Sequence, residues 1–446
     1  MPLRIHIETY GCQMNDYESD RMRRMFLEQH GYEWSDTPEE ADVVLFNTCS
    51  VREKADQKAL SSIGRLRAAK LVNPDMVVAV GGCMAQSMAA EIQARAPYVD
   101  LVLGTHQWAR LPNLVEKVRA ERLRLIEIDF YGWKDYRFLP VYESRIAHSV
   151  SEFVTVQNGC NKFCTFCVVP FTRGREVSRP SEEILAEIRA LTAAGVKEVV
   201  LLGQNVNAYG RDRSGLVSFA DLLDEIANIK DLKRLRFMTS HPAEMSEELI
   251  ERVAGNEKVC EHLHLPLQSG SDRVLEKMNR QHTMGHYRNV MELLRKKIPG
   301  IHITTDLIVA FPSETEKDFE ATLAAMREFE FSDSYSFCFS PRPHTKAEKW
   351  SAEFVPPEVA SERLARLQAL QRELSARRNQ AYTGAAVEVL VEGRAKRGEE
   401  HWTGRTRTNL AVNFPGESED AGRLVSVRIV SAMAHCLAAE RLGGPC

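Results

Sequence analysis

Three cysteines stand close together in the middle of the chain. Cys160, Cys164 and Cys167 form C-x3-C-x2-C within Gln157-Asn-Gly-Cys-Asn-Lys-Phe-Cys-Thr-Phe-Cys-Val. Three thiolates at this short spacing suit a cubane 4Fe–4S cluster with one iron left open. The amino and carboxylate groups of S-adenosylmethionine can chelate an open iron, and an electron from the cluster can then cleave the sulfonium. The cofactor supplies that chemistry and the protein positions it. A zinc site or a set of structural thiols are the alternatives. Structural zinc closes with four ligands, and no fourth Cys or His stands nearby at the usual spacing.

Three further cysteines, Cys12, Cys49 and Cys83, are separated by 36 and 33 residues. Each lies just past an apolar run that reads as a strand: Arg4–Thr9, Asp42–Asn47 and Met76–Val80. Helical patterns alternate with these runs, over Asp16–His30, a stretch to about Lys70, Ala85–Ala94 and, after a fourth short run at Leu101–Leu103, Leu111–Val118. This alternation predicts a parallel sheet with helices on both faces. In such sheets the carboxyl ends of the strands line the ligand crevice, so three cysteines distant in sequence converge. Position alone leaves both ligation and burial as core thiols open.

Residues 131–150 break the periodicity and read as a linker. A second, longer alternation follows, with candidate strands at Phe153–Gln157, Glu198–Leu202, Arg234–Met238, Glu261–Leu267, His302–Val309 and Ser334–Phe339. Six βα units predict a (βα)6-type partial barrel whose chemistry sits at the strand carboxyl ends. The Cys160 loop directly follows its first strand. The pairs Gln204 and Asn205, Ser240 and His241, and Gln268 and Ser269 fall at later strand ends, as cofactor ligands or as simple turn formers. Beyond a basic helix at Glu362–Gln380, short β-type runs at Val387–Val391, Asn409–Phe414 and Leu424–Val430 predict a small all-β barrel.

The chain has 446 residues, enough for about three domains, with 44% apolar and 27% charged residues, which excludes a largely disordered protein. Ten cysteines are too sparse for a disulfide scaffold. No run approaches 18 apolar residues, so no membrane span is expected, and no basic-then-apolar leader opens the chain. The expected compartment is the reducing cytoplasm. The net charge of −4 means that any nucleic-acid binding relies on local basic patches.

The C-x3-C-x2-C string on a βα barrel resembles the radical S-adenosylmethionine superfamily. Thr9-Tyr-Gly-Cys-Gln-Met-Asn, Asn47-Thr-Cys-Ser-Val-Arg, Gly81-Gly-Cys-Met-Ala-Gln and the segment from Cys160 to Arg179 resemble the methylthiotransferase family over essentially the whole chain. Thr239-Ser-His-Pro, His264-Leu-Pro-Leu-Gln-Ser-Gly-Ser-Asp, Met278-Asn-Arg and Ser340-Pro-Arg-Pro place the resemblance among members acting on N6-dimethylallyladenosine in tRNA. The resemblance implies a cluster-binding domain over residues 1–131, a radical barrel over 146–376 and a TRAM RNA-binding domain over 379–446. It implies two 4Fe–4S clusters, a first on Cys12, Cys49 and Cys83 and a second on Cys160, Cys164 and Cys167, with S-adenosylmethionine as methyl donor and radical source.

Phe166, Arg173, Gln204, Asn205, Ser240 and Gln268 are the candidate contacts to S-adenosylmethionine. Arg175 and Arg179, and Arg394, Lys396, Arg397, Arg405 and Arg407 with Trp402 to stack, are the candidate RNA contacts. Solvated basic surface is the plainer reading of these arginines. Cys260, Cys338, Cys436 and Cys446 lack ligand context, and buried structural thiols are expected at Cys260 and Cys338. Ala310, Ser313 and His344 stand where the family usually has glycine, which puts the local backbone geometry in question.

The activity implied is C–H to C–S conversion at C2 of the adenosine at position 37 of tRNA, with an external electron donor and sulfur source and a monomeric enzyme. Sister activities on threonylcarbamoyl-adenosine or a ribosomal-protein aspartate, and a non-catalytic metal-stabilised RNA-binding protein, are the alternatives.

Overall fold

The computed structural model describes residues 2–50, 53–141, 149–395 and 401–442. It forms two compact units. The first comprises Met1–Ser144, Gln157–Arg179 and Ser340–Glu348, and the second Arg145–Val156, Pro180–Phe339 and Lys349–Cys446.

In the first unit, strands β1 (Arg4–Thr9), β2 (Glu33–Trp34), β3 (Val43–Thr48), β4 (Val77–Gly82), β5 (Leu101–Leu103) and β6 (Leu125–Glu127) form one parallel sheet of order β2-β1-β3-β4-β5-β6. The period of two explains the burial of both faces. Val43, Leu45, Val77 and Ala79 enter one core with α1 (Gln13–Arg24) and α4 (Leu111–Glu121), whereas Val44, Phe46, Val78 and Val80 enter the other with α2 (Glu53–Val72) and α3 (Cys83–Arg95). Each of these side chains other than Ala79 contributes about 1.5–3 kcal/mol. The register pairs Thr9 with Asn47 and Asn47 with Gly81, so the segments carrying Cys12, Cys49 and Cys83 leave the sheet at one level. The strands β2 and β6, of two and three residues, were not expected, because so short a pairing carries no periodic signal.

In the second unit, β7 (Ser151–Thr155), β8 (Glu198–Leu202), β9 (Arg234–Phe237), β10 (His262–His264), β11 (His302–Val309) and β12 (Asp333–Cys338) form two parallel three-stranded sheets. Their orders are β9-β8-β7 and β10-β11-β12, and a parallel bridge from Leu235 to Val259 continues one into the other. Among the described residues β7 pairs only with β8 and β12 only with β11, giving the expected partial barrel. Helices α5 (Ser181–Ala193), α6 (Phe219–Ala227), α7 (Glu247–Gly255), α8 (Met284–Lys297) and α9 (Glu316–Phe329) connect the strands. Ser218, Ser246, Thr283 and Thr315 cap α6 to α9 by accepting a backbone N–H, each worth about 1 kcal/mol.

The helix α10 (Pro357–Gln380) leads to a closed barrel of β13 (Ala386–Arg394), β14 (His401–Thr406), β15 (Ala411–Pro415), β16 (Leu424–Ala432) and β17 (Leu437–Arg441), in the order β13-β14-β15-β17-β16. It is fastened to the amino ends of β8 to β10. Arg236 donates to Glu198 Oε2 at 2.9 Å and to the carbonyls of Thr406 and Arg407 at 2.8 and 2.7 Å, and Arg234 donates to the carbonyl of Arg405 at 2.7 Å.

The arginines of the basic helix are drawn into ion pairs within the protein. Arg363 is buried against Glu314 at 2.9 Å, Arg366 pairs with Glu316 and Glu320, and Arg377 pairs with Glu330. These arginines hold α10 onto α9 and the turns on either side of it.

Candidate metal centres and cofactor site

Cys12 caps the amino end of α1 and is open to solvent, while Cys49 and Cys83 are buried. An asparagine pair fixes their loops. Asn15 donates to Asn47 Oδ1 at 2.8 Å and to the carbonyl of Thr48 at 3.1 Å, and Asn47 donates back to the carbonyl of Asn15 at 3.0 Å. Glycine is required at two points: a Cβ on Gly11 would lie 2.4 Å from Cys49 Cβ, and one on Gly82 would lie 2.3 Å from the carbonyl of Thr48, both at positive φ. A hydrogen bond with Cys49, aided by the charge of Arg173, outweighs burial and lowers the Cys12 thiol to about 6. A thiol lowered in this way suits metal ligation. Burial pushes Cys83 up, with Arg173 opposing.

In the second triad Cys160 and Cys164 are buried and Cys167 is partly exposed. Burial, reinforced by Cys167, Glu176 and Cys164, pushes the Cys160 thiol up to about 12, so its thiolate calls for a cationic partner such as iron. Its loop is folded by Cys160 N–H to the carbonyl of Gly174 at 3.1 Å and Cys167 N–H to that of Cys164 at 3.0 Å. Both triads belong to the first compact unit.

Arg173 joins them. Its guanidinium donates to both oxygens of Glu18 at 2.6 and 3.1 Å and to Asn158 Oδ1 at 3.1 Å, with both side chains of the ion pair buried. Burial works against its charge, but Glu18, Cys83 and Cys12 hold it well above its ordinary range. His106 accepts from Tyr131 N–H at Nδ1 (3.0 Å), which leaves Nε2 to donate to the Arg173 carbonyl at 2.9 Å. The expectation that Arg173 contacts S-adenosylmethionine is therefore corrected: Glu18 occupies its guanidinium, beside the other triad. Glu18 escaped the sequence reading because 155 residues separate the partners.

The donor chemistry fits iron–sulfur clusters: two thiol triads, one with a lowered thiol beside a buried cation. Among the described residues, no three Cys, His, Asp or Glu side chains gather tightly enough for a single ion.

The barrel's strand ends in the second unit form a different pattern. Thr239, Gln268 and Ala310, following β9, β10 and β11, all adopt positive φ (68°, 73° and 57°) without being glycine. Such strain gathers at ligand sites. Among the described residues Ser240 Oγ and Gln268 Oε1 are buried with no hydrogen-bond partner, which suits hydroxyl and amino groups of an incoming cofactor. Asn205 is buried and Gln204 half-buried beside them, and Phe166, in the first unit, is half-buried. Ser313 and His344 also take positive φ, so all three substituted glycine positions carry the strain their sequence announced.

Several candidate RNA contacts fall elsewhere. Arg179 is buried, near the ring of Phe138. Trp402 is packed into the small barrel's core with Val391, Phe414 and Leu437, because its strand position points inward. Arg407 is held by Glu261 at 2.8 Å and by the carbonyl of Val259 at 2.9 Å. These three are corrected to internal roles. Trp402→Ala is accordingly expected to destabilise the small barrel by about 3–5 kcal/mol, seen as a lowered unfolding midpoint. Arg175 and Arg394 are exposed, and Arg405 is partly so beside Glu392. Lys396 and Arg397 lie outside the described residues. Cys260 is buried as expected, Cys338 and Cys436 are partly exposed, and Cys446 lies outside the described residues.

Residues 4–104 match the family described as Uncharacterized protein family UPF0004, residues 154–326 the Radical SAM superfamily and residues 380–442 the TRAM domain. The chain is 45% identical over 444 residues to the tRNA-2-methylthio-N(6)-dimethylallyladenosine synthase of Moorella thermoacetica, covering 98% of each. It is 43% identical over 438 residues to the enzyme of that name from Clostridium botulinum (98% of this chain, 96% of the relative). The figures for Methylococcus capsulatus are 44% over 445 residues, 99% and 96%. Among solved structures it is similar to the radical S-adenosylmethionine methyltransferase TsrM from Kitasatospora setae, with cobalamin and a 4Fe–4S cluster bound. The TM-score is 0.56 at 16% identity, covering 78% of this chain and 77% of that one. The cobalamin-dependent radical enzyme OxsB gives a TM-score of 0.52 at 11% identity, covering 83% of this chain and 56% of that one. These two likenesses show the fold.

Proposed function

Because the chain belongs to the family of tRNA-2-methylthio-N(6)-dimethylallyladenosine synthases, within the radical S-adenosylmethionine superfamily, we propose that it converts N6-dimethylallyladenosine at position 37 of tRNA to the 2-methylthio derivative. The carrying observation is near-full-length identity of 43–45% to enzymes of that name, together with two intact cysteine triads in one compact unit. The reading keeps three parts, at residues 1–131, 146–376 and 379–446.

Cys160, Cys164 and Cys167 would hold the 4Fe–4S cluster that meets S-adenosylmethionine, and Cys12, Cys49 and Cys83 the other. When bound, these groups supply one-electron cleavage of the sulfonium, a methyl group and a place for sulfur to attach. The protein's part is positioning. Ser240 and Gln268 offer buried hydrogen-bonding atoms for the cofactor's ribose and methionine, with Gln204 and Asn205 as further candidates in the same unit, and Phe166 stays the candidate contact to its adenine. Arg173, ion-paired with Glu18, places a guanidinium charge against the Cys12 triad. Arg175, Arg394 and Arg405, with Lys396 and Arg397, would meet RNA phosphates.

The enzyme would act as a cytoplasmic monomer drawing on an external reductant and sulfur source. No helix among the described residues is long and apolar enough to cross a membrane.

The test is nucleoside mass spectrometry of tRNA from a deletion strain. The 2-methylthio nucleoside is expected to vanish, N6-dimethylallyladenosine to accumulate, and the plasmid-borne gene to reverse both. Persistence of the 2-methylthio-N6-dimethylallyl nucleoside would sink the reading.

A further inference from the structure

We propose that Phe163, Phe171 and His344, with Arg175, form a stacking platform for unpaired bases of the RNA substrate, on the loop that carries the second cysteine triad. The proposal rests on the reading of the chain as a tRNA-modifying enzyme and adds the surface that grips the single-stranded part of that RNA.

Phe163 and Phe171 are 43% and 39% exposed; Phe163 lies between Cys160 and Cys164, and Phe171 on the short helix Val169–Thr172 that follows Cys167. Large apolar groups clustered on a surface mark an interaction site more often than chance. Each ring already has a cationic or imidazole neighbour. The Arg175 guanidinium lies 5.4 Å from the centroid of Phe163, and the His344 ring lies 6.3 Å from Phe171 at an interplanar angle of 39°. The backbone ties the two segments together, through Ala347 N–H to the carbonyl of Thr165 at 2.8 Å. All these residues belong to the first compact unit.

His344 is the informative member. Its φ is 69°, a conformation that glycine adopts without strain and a side chain does not. Its backbone N–H donates to Glu348 Oε2 at 3.1 Å, a bond glycine would make equally well. The exposed imidazole therefore adds ring surface beside Phe171 at a cost in backbone strain. Unpaired RNA bases are held by stacking on aromatic, histidine and arginine faces, largely without regard to sequence. The small barrel, which sequence reasoning made the aromatic reader, buries Trp402 and Phe414 in its core. The cluster-bearing loop supplies the exposed rings instead, and Arg175 adds positive charge for the phosphodiester.

Binding of a fluorescently labelled anticodon stem–loop RNA to the full-length, anaerobically reconstituted protein tests this by anisotropy. Phe171→Ala and Phe163→Leu are each expected to weaken binding about tenfold, with iron content measured alongside. His344→Gly relieves the strained backbone, so it is expected to unfold at no lower temperature than wild type and still bind RNA several-fold more weakly. The losses are expected to persist when the loop sequence is scrambled and to shrink with a fully paired duplex of equal length. Wild-type affinity in both Phe171→Ala and His344→Gly overturns the platform. So does unchanged RNA affinity with slower reduction by an acidic redox protein, which would assign the patch to the electron donor. Failure of the tRNA reading itself looks different: the wild-type protein would then bind the stem–loop no better than an unrelated RNA.

Discussion

Cys164→Ala and Cys49→Ala are expected to separate the two halves of the reaction. With Cys164 gone, the second triad loses a buried thiol, and two thiolates cannot hold a cubane. Iron should fall from about eight to about four per chain. Adding dithionite and S-adenosylmethionine should then yield 5′-deoxyadenosine only at background, with no 2-methylthio product. Cys49→Ala strips a thiol that lies beside Cys12 and is 3% exposed, so the same fall in iron is expected. The Cys160 loop keeps its own backbone bonds, from Cys160 to Gly174 and from Cys167 to Cys164. Cleavage to 5′-deoxyadenosine should therefore survive in Cys49→Ala, while methylthio transfer falls to background. Product formation by Cys49→Ala, or wild-type 5′-deoxyadenosine from Cys164→Ala, would refute the assignment of roles to the triads.

The second large effect concerns Arg173 and Glu18. The pair is bidentate, at 2.6 and 3.1 Å, and its side chains are only 3% and 6% exposed. Removing one partner of such a pair leaves a buried charge with nothing to balance it, at about 3–5 kcal/mol. Arg173→Met also leaves Asn158 Oδ1 without its donor and takes the positive charge from beside Cys12 and Cys83. The apoprotein transition is expected to drop by roughly 10 °C, measured by calorimetry under reducing conditions, and iron loading of the first triad should fall with it. Glu18→Gln keeps the shape of the acid and should cost less than Arg173→Met. The double variant Glu18→Gln/Arg173→Met, with neither charge present, should recover a good part of the loss. Because the pair is buried, added salt should change little. Unaltered melting in Arg173→Met would show that the ion pair adds nothing to the unit's stability.

The elements were legible where the pattern is local. The strands Arg4–Thr9, Leu101–Leu103, Glu198–Leu202 and His302–Val309 have the bounds expected of their apolar runs. The positive φ at Ala310, Ser313 and His344 was signalled by side chains standing where glycine is usual. The small barrel was anticipated from three runs, but its strands His401–Thr406 and Leu437–Arg441 were not. Polar and small residues in those two hide the alternation.

Residue types and spacing pointed to a cluster at the C-x3-C-x2-C triad, which is a local feature of the sequence. The role of Cys12, Cys49 and Cys83 came from the resemblance to the methylthiotransferase family, and the parallel strands in register bring the segments that carry them to one level. What only the tertiary structure decided is the fate of the charges and of the aromatic rings. Arg173 meets Glu18 across 155 residues and Arg407 meets Glu261 across 146, while Arg363 and Arg366 bind acids of α9 and the turn before it. Trp402 faces inward, and Phe163, Phe171 and His344 face out. A sequence shows that an arginine must find a partner once buried. Which one it finds depends on strand facing, where a shift of one residue exchanges inside for outside, and on contacts that form only when distant segments are already folded together.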